Sequence, residues 1–149
     1  MLDLRTLTLT ALALSLANLS AVADSSRAAQ TLVVPETIEV SLSELTSIEY
    51  EPGKELPKKI RELDGKEVVI TGVMHADTGY DVTEFWLVTE SCECATSPEP
   101  HHFVEVTLTS GTTSRKRGEM SFKGIFSVGE VLDENGFVES LYRLEGDFF

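Results

Sequence analysis

The chain has 149 residues, 25 of them acidic and 12 basic, with a formal net charge of −13 at neutral pH. A surface this acidic repels nucleic acid and anionic membranes, so neither is expected as a partner. Two cysteines and three histidines are the scarce reactive side chains.

The first stretch, MLDLRTLTLTALALSLANLSAVADSS, places Arg5 before an apolar run that ends at Ala21–Ala23, a small-x-small site ahead of Asp24. This pattern predicts a signal peptide over 1–23 and a periplasmic or secreted mature chain. The apolar run is too short, and too often interrupted by polar residues, to span a bilayer. No later segment could do so, and no stable membrane insertion is expected. Cleavage removes one acid and one base, which leaves the charge at −13. The remainder suits one compact domain.

Residues 24–55 are expected as an N-terminal extension, with the domain proper at 56–149. Within the extension, Leu42, Leu45 and Ile48 have helical spacing, whereas Val40 permits a short strand. Pro57 can open a helix, and PKKIRELDG predicts one or two turns stopped at Asp64-Gly65.

After Gly65 the period changes. KEVVITGVM reads as a strand with Val68, Ile70 and Met74 on one face and Val69 and Val73 on the other. VTEFWLVTE follows the turn HADTGYD, and Trp86 within it is expected in the core. HFVEVTLTS alternates cleanly, with Val104, Val106 and Leu108 inward. SFKGIFSVGEVL and FVESLYRLE, joined by the turn DENG, complete five strands. Five short strands with little helix predict a mainly β fold, a small closed barrel with one short helix. Gly72 and Gly124 are expected at bends or bulges. Arg115-Lys116-Arg117 reads as solvated loop.

Three stretches, ELPKKIRELDGKEVVITGVMH, VTEFWLVTESCECA and SLYRLEGD, together resemble the domain-of-unknown-function family 3299, small exported bacterial proteins. The resemblance spans Leu56 to Asp147. It implies an OB-like core and export, and no established activity. It also implies a cysteine after the strand that Phe85–Val88 matches, followed by a proline-rich segment. Cys92, Pro98 and Pro100 fall there. Glu93 separates Cys92 from Cys94, where relatives have adjacent cysteines or a Cys/His arrangement, which leaves the ligand set open.

The segment SCECATSPEPHH holds both cysteines and two of the three histidines. Thiolates with imidazoles suit zinc or copper, since both metals accept sulfur and nitrogen donors. Cys92, Cys94, His101 and His102 are the candidate ligands, and His75 could join them from the previous turn. Adjacent histidines point apart in an extended chain, so both serve one site only if the chain turns sharply, which Pro98 and Pro100 allow. The competing reading is a structural Cys92–Cys94 disulfide in an oxidising compartment, on a domain that docks on another envelope protein. A redox thiol is the third reading, although no Cys-x-x-Cys supports it. Arg143 and Glu145 read as a strand-face pair or loop cap. Phosphate-loop, H-E-x-x-H and G-x-S-x-G patterns are absent, and no reaction is assigned.

Overall fold

The computed structural model describes residues 37–89 and 98–149. The expected signal peptide 1–23, the start of the 24–55 extension, and Cys92 and Cys94 lie outside the described residues. The elements are β1 (Ile38–Ser41), α1 (Leu42–Thr46), α2 (Lys58–Arg61), β2 (Glu67–Met74), β3 (Glu84–Val88), β4 (Val104–Leu108), β5 (Glu119–Leu132) and β6 (Val138–Phe148).

Five of these strands close a barrel. β2 pairs antiparallel with β3, β3 with β4, and β6 with β5, while β5 returns to β2 along Glu67↔Ile125 to Val73↔Glu119. β4 and β6 run parallel, with Val106 opposite Leu144. The result is the five-stranded OB-like barrel, in which closure leaves few unpaired backbone groups. α2 is the short helix expected ahead of the first barrel strand. It follows Pro57 and buries one residue, Ile60.

The interior follows the alternation. Val68, Ile70, Met74, Leu87, Val104, Val106, Phe122, Phe126 and Leu144 are all buried. Burying side chains of this size contributes about 1.5–3 kcal/mol each relative to exposure. The DENG turn forms as expected. Asp133 N–H donates to Phe137 O at 2.8 Å, and Asp133 Oδ1 accepts from Asn135 N–H and Phe137 N–H, both at 2.8 Å.

The segment expected as an extension does more than lead into the barrel. From Ile38 to Ser41 it pairs parallel with Val68–Thr71 of β2. β3 reaches that edge of β2 only at Val73 and Met74. β1 therefore covers the part that β3 leaves open. α1 then buries Leu42 and Leu45, and the Tyr142 hydroxyl donates to Leu45 O at 3.2 Å. Both readings of this segment are realised in succession, Val40 in a strand and Leu42 and Leu45 in a helix.

Gly124 marks a close crossing rather than a bulge. It faces Gly146 across β5 and β6. A Cβ on either would overlap the backbone of the other strand, with Glu145 O nearest Gly124 and Lys123 O nearest Gly146. Register shifts lie between Val128 and Val131 and between Val131 and Leu132, the first of them where Gly129 has φ +146°. Gly72 admits Leu42 from α1, whose Cδ2 would lie 2.8 Å from an added Cβ. Trp86 departs from expectation. It is half-buried and directed outward, because Phe85 and Leu87 take the inward positions of β3.

Candidate metal centre

The chain enters β4 through a tight turn. His102 N–H donates to Glu99 O at 2.8 Å, which closes a four-residue turn with Pro100 in its second position. Proline is pre-set for that position because its ring holds φ near −65°. Glu99 and the two histidines thus occupy the corners of one turn instead of alternating along a strand. The His101 and His102 rings lie 4.0 Å apart, centroid to centroid.

Aromatic contacts pin the turn at both ends. Tyr50 packs on His101 with ring centroids 5.4 Å apart. Phe103, the next residue after His102, is buried and stacks on Trp86 at 4.6 Å. Tyr50 is itself held, because its hydroxyl donates to Glu130 Oε1 at 2.8 Å and Gly53 N–H donates to the same oxygen at 2.7 Å. Glu130 reaches this point from the irregular stretch of β5. Burial and the adjacent Glu130 carboxylate push the Tyr50 hydroxyl up to about 12.

One ligand atom from each of Glu99, His101 and His102 lies within 4.8 Å of the others. His101 is only 7% exposed. Its Nδ1 is buried without a hydrogen-bond partner, and Glu99 Oε2 stands 3.6 Å away, beyond hydrogen-bond length. A buried unpaired nitrogen is costly, by about 1–3 kcal/mol. Four ligands about 2.0–2.1 Å from one zinc ion stand about 3.4 Å from one another. The Nδ1–Oε2 separation is close to that edge. Burial lowers the His101 pKa, the neighbouring His102 lowers it further, and Glu99 opposes both. The net lowering favours the neutral imidazole, the form that carries a lone pair for a cation.

Of the residues singled out in the sequence, the structure brings His101 and His102 together. His75 is not part of their donor group. It packs on Trp86 with ring centroids 5.5 Å apart, in a different turn. Cys92 and Cys94 lie outside the described residues. Glu99 joins the group as a carboxylate donor that thiol and imidazole content alone does not mark. The signal was present in Glu-Pro-His-His, where a proline turn folds the acid back onto the histidines.

The fold and this donor cluster define an OB-like barrel with a candidate cation centre at the entry to β4. The fold is similar to that of a DUF3299 family protein from Pseudomonas aeruginosa PAO1, with a TM-score of 0.52 and 19% identity over 76% of this chain and 96% of that one. That likeness is one of fold. No protein-family model and no curated protein matches the chain.

Proposed function

We propose that the protein binds one transition-metal ion, zinc or copper, through Glu99, His101 and His102, with Cys92 and Cys94 of the preceding segment supplying sulfur donors. One observation carries this reading: a buried imidazole nitrogen without a partner, facing a carboxylate at 3.6 Å beside a second imidazole. Four of these five nitrogen, oxygen and sulfur donors satisfy tetrahedral zinc, and thiolates with imidazole also suit copper(I). We infer further that the chain is an exported member of family 3299 and serves as a metal-binding accessory protein. The signal pattern over 1–23 and the agreement between the sequence resemblance and the fold likeness support this.

Native mass spectrometry on protein prepared without chelator, then supplied with zinc or copper(I), tests the proposal. One ion per chain is expected, lost on His101→Ala and weakened on Cys94→Ser. Thiol counting runs alongside. A quantitative Cys92–Cys94 disulfide, with neither metal taken up after mild reduction, would overturn the reading.

A further inference from the structure

His75 and Trp86 belong to a separate groove of about 470 Å³ on the outer face of the barrel, lined also by Asp77, Thr78, Glu84 and Glu105. Its floor follows from strand pairing. Glu84 and Trp86 are two apart on β3, and Glu105 lies directly opposite Trp86 on β4. All three side chains therefore share one face. The turn after β2 forms the wall, where His75 N–H donates to Trp86 O at 2.9 Å and Thr78 N–H donates to His75 O at 3.1 Å.

The polar groups of this groove are under-used. Among the described residues, Glu84 and Glu105 have no cationic partner. Arg143, opposite Glu105 in the β4–β6 register, forms no ion pair with it and donates to Gly129 O at 3.0 Å. The Thr78 hydroxyl is buried without a partner. The His75 side chain is 8% exposed. Its Nδ1 accepts the Asp77 N–H at 3.3 Å, which leaves the Nε2–H as the ring's donor. That N–H has no partner among the described residues.

We propose that this groove binds an arginine side chain on a peptide segment of a partner protein. A guanidinium is flat enough to lie on the part of the Trp86 indole that Phe103 and His75 leave exposed, and forked enough to meet Glu84 and Glu105 together. The His75 Nε2–H offers a hydrogen bond to the peptide backbone beside it. The net charge of −13 draws a basic partner toward the surface, and the groove supplies the local geometry.

Trp86 is the sole tryptophan of the chain, so its fluorescence reports directly on occupancy. The full chain is titrated with a capped Gly-Arg-Gly tripeptide, with the same peptide carrying citrulline for arginine, and with free arginine. A saturable change is expected for the arginine peptide, with binding at least about tenfold weaker for the citrulline peptide and for Glu84→Gln/Glu105→Gln. The control Glu134→Gln/Glu139→Gln, on the DENG hairpin, removes the same net charge and leaves the affinity unchanged. Absence of a saturable change, an equal response to citrulline, or equal weakening in both double variants overturns the proposal. Free arginine binding as tightly as the tripeptide overturns the assignment of a peptide partner.

Discussion

His101 and Gly124 show two ways in which one position is constrained by its surroundings. His101 is held between Tyr50 and His102 with Nδ1 unpaired, so its replacement removes a donor already oriented for a cation. His101→Ala is expected to weaken zinc binding by more than the roughly 10–100-fold typical of losing a supporting residue around a metal. His75→Ala should leave zinc binding within a factor of about three, since it removes no donor of the group. Competition against a chromophoric chelator measures both. Gly124 is constrained by contact with backbone rather than by chemistry, because the facing strand leaves no room for a methyl group. Gly124→Ala is expected to cost about 1–3 kcal/mol in urea unfolding through strain between β5 and β6.

The short elements before the barrel matter more than their length suggests. α1 has five residues, yet Leu42 and Leu45 within it are buried against the core. The same stretch receives the hydroxyl of the fully buried Tyr142. Leu45→Ala should therefore destabilise by about 2–5 kcal/mol, the range for emptying a core site. A chain beginning at Leu56 would expose part of the β2 edge and these contacts. It should lose cooperative thermal unfolding, and unchanged melting of that shortened chain would show β1 and α1 to be dispensable. The Glu99–His102 turn depends likewise on a local device. Pro100→Gly should weaken metal binding, because the freed turn samples arrangements in which the donors separate.

Among the described residues, hydrogen-bonded carboxylates contribute to the response to acid. Glu130, Asp133 and Asp147 all titrate below their ordinary values. The chief causes are the Gly53 N–H at Glu130, the Phe137 N–H at Asp133 and the Thr109 hydroxyl at Asp147. A carboxylate lowered in the fold contributes stability above its unfolded pKa and loses it as pH falls through its folded value. Melting temperature should therefore fall as pH drops below about 4, and Asp147→Asn should flatten part of that decline. Acid also discharges the net −13 and relieves self-repulsion, which acts in the opposite direction. Melts at high salt screen the repulsion and leave the hydrogen-bond contribution exposed. On the alkaline side, Tyr50 is raised to about 12 and Tyr142 is pushed higher still, both chiefly by burial. Both must stay neutral in the fold, so stability should decline once the unfolded tyrosines ionise above about pH 10.

Alternation along the strands was enough to mark the inward faces of the barrel. Val104, Val106 and Leu108 face inward because the residues between them are polar, and DENG carries its own turn chemistry. Proximity in sequence likewise marked His101 and His102. Other features depended on contacts between distant residues. Trp86 lies on a strand with apolar residues on both faces, so its outward direction followed only when Phe85 and Leu87 took the interior. β1 needed β2 beside it before Ile38–Ser41 became a strand. The separation of His75 from the other histidines was set by which turns the closed barrel brings together. Glu99 joined the site through a bend that reverses the extended-chain rule for neighbouring side chains. Local patterns specify which faces are apolar, because burial there depends on the strand's own period. Which faces meet is decided by closure of the sheet, and that closure brings together residues from separate parts of the chain.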